Sequence, residues 1–350
     1  MIQTKLQFDK CIFPAANKLT SNGLWYIDMK SKKNISHFMK KLILLISIIS
    51  TYNVNASKIY TSDVINFWIA YDSIQNTDSY TQKVKFINDL YINKATNGLQ
   101  DFIVAREFSA EEWVKLIISY PKYWKSIRPQ TLLIIKDIEA LENLSLKFKE
   151  IYPDFIEPEI YFTIGCLRSG GTTSEGRILI GAEIGAADYT TDASELSSWL
   201  KNAFKANSGI IQLVAHEMNH TQQTESLDSI NTLLSQTILE GSCDFIAELI
   251  LNRQYKAPHT NYGLLHTKSL FKKFYKSKNK ISYDKWLYNG NDSKKKPADL
   301  GYYIGYEICK TYYQNHEDKS KAITEIITLN WQDKNKLLFM LNLAMKKNGL

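Results

Sequence analysis

Cysteine is scarce in this chain: four in 350 residues, and no two form a CxxC pair. Cys11 lies upstream of an export signal, so Cys166, Cys243 and Cys309 allow at most one intramolecular bridge and are expected as buried thiols. Long apolar runs are missing as well. The longest, within Leu42–Ser50, falls far short of the about 20 residues a helix needs to cross a hydrocarbon core. Neither GxGxxG nor GxxxxGK[ST] occurs, which removes the common phosphate-cradling loops. No repeat of about 20–50 residues is present, so solenoids and propellers drop out. Net positive charge is missing from most of the chain too. The formal +7 is concentrated in residues 1–56, where eight Lys face two Asp, leaving 35 basic and 34 acidic residues in 57–350. That near-neutral balance leaves no electrostatic footprint for a nucleic-acid partner.

The basic N-terminal stretch reads instead as an export signal. From Met39 the chain runs "MKKLILLISIISTYNVNAS". Lys40 and Lys41 form a positive head, Leu42–Ser50 an apolar stretch, and Val54-Asn55-Ala56 supplies the small residues a signal peptidase accepts. Residues 39–56 are therefore expected to be a signal peptide cut near Ala56, placing the mature chain in the periplasm or outside the cell. No cysteine follows the cut, as a lipoprotein would require. Signals normally begin at the initiator methionine, so 1–38 is expected to be an over-extended gene start.

Residues 57–350 read as one domain, helical over 57–155, with the chemistry-bearing part over 156–350. Asp63 is placed to cap a helix through "VINFWIAYDSI", in which Ile65, Trp68 and Ile69 have amphipathic spacing. Ser109-Ala110-Glu111-Glu112 is a capping-box pattern opening a helix that Pro121 should end. The runs "EIYFTIG" and "RILIGAEI" predict two strands joined by a glycine-rich loop. After Ser194 helical periodicity returns, broken at "KAPHTNYG" and "YNGNDSKKKPADLG". The expected fold is α+β: a mostly helical domain with a small sheet preceding its central motif.

That motif is "LVAHEMNHTQQT". His216, Glu217 and His220 spell HExxH, and on a helix the two histidines stand on one face, about 5–6 Å apart at Cβ. They can converge on one zinc ion, with Glu217 beside the first ligand and free to reach a bound water. Catalytic zinc usually takes a third protein ligand and keeps one position open. "ILEGSCDFIAEL", twenty residues on, offers Glu240, Asp244 and Glu248 four apart on one helical face. Glu240 is the candidate third ligand. Asp244, a turn later, is placed to accept the Nδ1–H of a ligand histidine and fix its tautomer. The apolar residues Leu239, Phe245, Ile246, Leu249 and Ile250 argue against a merely solvated acidic face.

HExxH followed by ExxxD resembles the gluzincins, the thermolysin-like metallopeptidases. More closely, "DVINFWIAYD", "GGTTSEGRILIGAEI", "HEMNHTQQ", "LEGSCDFIAEL" and "LGYYIGYEICKTYY" resemble a bacterial family of predicted zinc-dependent proteases classed as a domain of unknown function. The resemblance covers most of 63–330. It implies one zinc ion held by His216, His220 and Glu240, Glu217 as general base, Asp244 behind a ligand histidine, and a peptide or protein as substrate. It also implies an extended substrate along an edge strand before the HExxH helix, which the chain would supply from Gly176–Ile184 with Leu179 and Gly181, approached past Gly171. A donor for the oxyanion is expected among His, Tyr or Arg. Tyr302 and Tyr306, four apart beside Tyr303, are the candidates, with His266 weaker, while His259 and His316 are expected to face solvent. Gly301 and Gly305 would let that helix approach the others closely. A related branch includes gliding-motility lipoproteins, so a non-catalytic zinc-binding envelope protein is the rival reading. Nothing in the sequence sets an oligomeric state.

Overall fold

The computed structural model describes residues 58–198, 200–201, 209–223, 232–290 and 296–350. The expected signal peptide and gene-start segment lie outside them. After a two-residue strand at Ile59–Tyr60 come six α-helices: α1 (Ser62–Gln75), α2 (Tyr80–Leu90), α3 (Asn97–Arg106), α4 (Ala110–Ser119), α5 (Pro121–Leu133) and α6 (Ile138–Ile151). Their ends follow local chemistry. Ser109 Oγ accepts the Glu112 N–H at the start of α4, and Pro121 occupies the first turn of α5, where its missing N–H costs nothing. Asp63 does not cap α1. It is buried and accepts the Thr96 backbone N–H at 3.1 Å, pinning the start of α3. Val64, Phe67 and Trp68 form the inward face of α1, whereas Ile65 and Ile69 are exposed.

A four-stranded sheet follows, built from β1 (Ile59–Tyr60), β2 (Glu159–Thr163), β3 (Gly171–Ser174) and β4 (Arg177–Gly181) in the order β1-β2-β4-β3. β1, β2 and β4 are parallel, and β3 pairs antiparallel with β4 in the register Gly171↔Ile180 to Ser174↔Arg177. One expectation changes here. The Gly/Thr/Ser stretch is itself a strand, and the two apolar runs it joins lie side by side in parallel. The cause is the turn at Glu175 (φ 47°) and Gly176 (φ 75°). Two consecutive positive φ values match the twist that a two-residue hairpin needs, and so fold β3 straight back onto β4. β4 ends at Gly181, where the chain turns into the short helix α7 (Ala182–Gly185).

The remaining described helices are α8 (Ile210–His220), α9 (Leu233–Leu251), α10 (Pro258–Tyr275), α11 (Leu300–Asn315), α12 (Lys319–Ile327) and α13 (Lys334–Lys347). The whole is a mostly helical α+β fold with the sheet ahead of the HExxH helix α8. α9 is buried along nearly its full length and starts at a reciprocal cap between Thr232 and Ser235. α8 packs against α9 on one side and against β3 and β4 on the other. α9 and α11 touch at backbone distance: a Cβ on Gly305 would lie 1.8 Å from the Thr237 carbonyl oxygen. Gly301 packs instead against Leu287. The break expected at "KAPHTNYG" ends at Ala257: Pro258 opens α10, and the rest of that stretch is helical. No helix among the described residues is long and apolar enough to cross a membrane.

Candidate metal centre

The last two turns of α8 and the middle of α9 bring His216, His220 and Glu240 to one point. His216 Nε2 and His220 Nε2 are 3.2 Å apart, and Glu240 Oε2 lies 3.5 Å from the first and 3.4 Å from the second. The outer ring nitrogens are both engaged. His216 Nδ1 lies 2.8 Å from Asp244 Oδ1, and His220 Nδ1 lies 2.8 Å from Gln223 Oε1. A carboxylate only accepts, so His216 must carry its proton on Nδ1. Gln223 is oriented by its amide nitrogen, which donates to the Leu239 carbonyl (3.2 Å) and to Ser242 Oγ (3.0 Å). Its oxygen therefore faces His220, which must also carry its proton on Nδ1.

Both Nε2 atoms consequently point lone pairs at each other and at a carboxylate oxygen. Three acceptors facing inward repel unless a cation lies among them, a metal ion or, in its absence, a proton added to an imidazole, toward which the neighbouring groups push both histidines against burial. Their separations also fit a known geometry: four ligands at about 2.0–2.1 Å in a tetrahedron sit about 3.3–3.4 Å from one another. The donor set thus suits zinc, with three protein ligands and a fourth position open. Burial pushes the Glu240 carboxyl toward neutrality, but His220 and His216 outweigh it and hold the group well below the usual carboxylate range. Asp244, wholly buried, is likewise held down by His216 and His259 against the cost of burial.

Cys243 is a rival third donor, since a set of His216, His220 and Cys243 atoms lies within 4.8 Å of one another. Its thiol is already engaged, donating to the Leu239 carbonyl at 3.5 Å and accepting from Asn219 Nδ2 at 3.2 Å. Glu240 is the better third ligand because one of its oxygens meets both free imidazole nitrogens. Its other oxygen accepts from the Tyr288 hydroxyl at 2.5 Å.

Glu217 stands beside this triangle and lines the start of β3. A Cβ on Gly171 would lie 2.6 Å from Glu217 Oε1, so the glycine lets the carboxylate lie directly against β3 without having to shift. Burial raises the Glu217 pKa, and the charges of His220, His216 and, more weakly, Arg106 oppose that rise. Arg106, at the end of α3, also reaches Ser169 Oγ at 3.4 Å, next to Gly171.

The other expected residues divide. Tyr302 is at the site: its ring lies 6.1 Å from His216, 5.4 Å from His259 and 6.4 Å from Tyr288, centroid to centroid. Tyr306 points elsewhere. Its hydroxyl donates to Glu248 at 2.6 Å and accepts from Lys310, because one helical turn moves it past Asp244 to the next carboxylate of α9. Leu179 and Gly181 belong to β4, which is paired on both sides, and Leu179 is fully buried, so neither can receive an extended peptide. The edge strand beside the HExxH helix is β3, and of that expected trio Gly171 alone lies on it. His266 is stacked on Tyr262 in the exposed part of α10.

Three site neighbours escaped the sequence reading. His259 was assigned to solvent but meets Asp244 Oδ2 at 2.9 Å. Its signal was Pro258, a residue favoured in a helix's first turn, which makes "KAPHTNYG" a helix start. Gln223 was legible as i+3 from His220 on the motif's own face. Tyr288 had no such signal, since a φ of 54° in an irregular segment directs it at Glu240.

A helical domain whose HExxH helix packs on a small mixed sheet thus presents a cluster of donors that could hold a metal ion. Residues 182–330, which contain His216, Glu217, His220, Glu240 and Asp244, match the family described as Predicted Zn-dependent protease (DUF2268), the family the sequence resembles. No curated protein and no solved structure matches the chain, so the likeness to thermolysin gains no support from a known fold.

Proposed function

We propose that the protein is an exported zinc-dependent metallopeptidase that binds one ion through His216, His220 and Glu240. The observation that carries this reading is the triangle of inward-facing acceptors at 3.2, 3.4 and 3.5 Å, with both Nδ1 protons accounted for outside it. Zinc held there would lower the pKa of a water toward about 7 and polarise a substrate carbonyl. Glu217 takes the proton of the attacking water and returns it to the leaving amine, a role that its buried, raised-pKa carboxyl suits. Tyr302 is the candidate donor to the oxyanion, being next to His216 and having a hydroxyl with no partner among the described residues. The outer edge of β3 offers main-chain hydrogen bonds to an extended peptide, and Gly171 lets that peptide approach Glu217 closely. Export rests on the segment from Met39 to Ala56.

The test combines metal analysis with a peptide-library assay on wild type and Glu217→Gln. Stoichiometric zinc in both, with turnover reduced about 10²–10⁴-fold in the variant, supports the enzyme. Zinc in both without cleavage of any peptide favours the non-catalytic envelope protein. No stoichiometric zinc in wild type refutes the centre itself.

A further inference from the structure

Asp244 is the most completely buried acid near the centre, at 0 % exposure, and both of its oxygens are spoken for. Oδ1 accepts from His216 Nδ1 at 2.8 Å, and Oδ2 accepts from His259 Nε2 at 2.9 Å. A buried carboxylate with one donor would leave the second oxygen desolvated and unpaired, which is costly, and the side chain would be free to turn about its Cβ–Cγ bond. With a donor at each oxygen the plane of the group is fixed. His259 is itself fixed. It sits in the first turn of α10, its ring lying 6.5 Å from Tyr255 and 5.4 Å from Tyr302, centroid to centroid.

We infer that His259 is a positioning residue of the metal centre, acting through Asp244 to hold the His216 imidazole with Nε2 aimed at the ion. This rests on the zinc reading of the site, though not on any proteolytic activity. The chain His259 Nε2–H to Asp244 to His216 Nδ1–H extends the usual carboxylate behind a metal-bound histidine by one further link. It also joins two helices to the site that the ligands alone do not: α10 through His259 and α11 through Tyr302. Loss of the donor leaves the Tyr255 hydroxyl as the remaining partner of Asp244 besides His216, loosens the carboxylate, and relaxes both the tautomer and the aim of His216.

The deciding measurement is zinc affinity of the full chain, by competition with a chromophoric chelator, for wild type, His259→Phe and His259→Gln. Thermal unfolding of each metal-free protein is recorded alongside. The phenylalanine keeps a ring without a donor; the glutamine keeps an N–H that can reach Asp244. We expect His259→Phe to weaken zinc binding about tenfold or more, and His259→Gln to remain within about threefold of wild type. Unchanged zinc affinity in His259→Phe, even with a lowered melting temperature, overturns the inference and leaves His259 a packing residue. Equal losses in both variants overturn it too, since the hydrogen bond is then not what matters. Should His259→Phe not fold, His259→Asn replaces it, its shorter arm leaving Oδ2 unreached, and a wild-type affinity there overturns the inference likewise. Substrate plays no part in the readout, so a failure to cleave peptides leaves the test standing. A wild type that binds no zinc overturns this inference and the zinc reading together.

Discussion

Two carboxylates on α9, Glu240 and Glu248, stand two turns apart on one face and meet opposite surroundings. Glu248 is matched group for group: Oε1 pairs with Lys310 Nζ at 2.7 Å, while Oε2 accepts from the Tyr306 hydroxyl at 2.6 Å and the Tyr255 N–H at 2.9 Å. Every partner there is a donor, and the charge is balanced within the chain. Glu240 is matched only on one side. Its Oε1 has Tyr288, but its Oε2 faces two imidazole nitrogens whose protons are on the far side of their rings. The first arrangement is complete as folded and serves to lock α9 against α11. The second is balanced only by a cation. Burial of an acid does not separate structure from chemistry; the proton count of its neighbours does.

The most direct way to break this contrast is to remove each carboxylate in turn. Glu240→Ala takes away the proposed third ligand, so zinc affinity should fall more than the about 100-fold that loss of a ligand's supporting partner can cost, while the metal-free melting temperature changes little. Glu248→Ala should do the reverse. It strands the Tyr306 hydroxyl and the Lys310 ammonium, a cost of about 1–3 kcal/mol, or a melting temperature lower by about 2–10 °C, with stoichiometric zinc retained. Metal analysis and thermal melts on both variants decide it. If Glu248→Ala loses zinc as severely as Glu240→Ala, the two ends of α9 act as one unit and the contrast fails.

The same contrast explains what could be read from the sequence. The helix period placed His216 and His220 on one face and Glu240, Asp244 and Glu248 on another, because side-chain direction on a helix follows from spacing alone. Spacing does not say which of Tyr302 and Tyr306 meets which carboxylate. That depends on the offset between α9 and α11, set by the contact of Gly305 with Thr237 and Gly241. The sheet failed for a related reason. Leu179 and Gly181 have the composition of a buried strand, but which strand is left at an edge depends on pairing order, and the turn at Glu175-Gly176 decides that. Tyr288 was invisible, and His259 was legible only as a helix-start residue, because their roles depend on how an irregular segment and α10 pack on α9. The motif was local, and its supports were not.

Glu183 sharpens the comparison as a third buried acid, one with neither a cation nor a metal set. It is fully buried, and its two oxygens accept the Gly165 N–H at 2.8 Å and the Leu167 N–H at 3.1 Å, clamping the loop that leads from β2 to Ser169 and Gly171. Burial raises its pKa to about 7, and the backbone donors, Gly165 first, only partly offset that. The sign follows from proton linkage. Between the ordinary carboxyl value of 4.5 and about 7 the folded state holds a proton that the unfolded state has released. Stability from this group is therefore present below the unfolded pKa and is lost as pH rises through about 7. Between pH 5 and 8 the loss is about 2–3 kcal/mol. Urea unfolding of the metal-free protein at those two pH values, for wild type and Glu183→Gln, isolates the contribution, because glutamine does not titrate. The stability drop from pH 5 to 8 should be smaller in the variant by that amount, and equal drops would refute the assignment. A carboxylate that keeps its proton for want of a cation, against Glu240 held ionised by its histidines, places the difference in the neighbours' charge rather than in depth of burial.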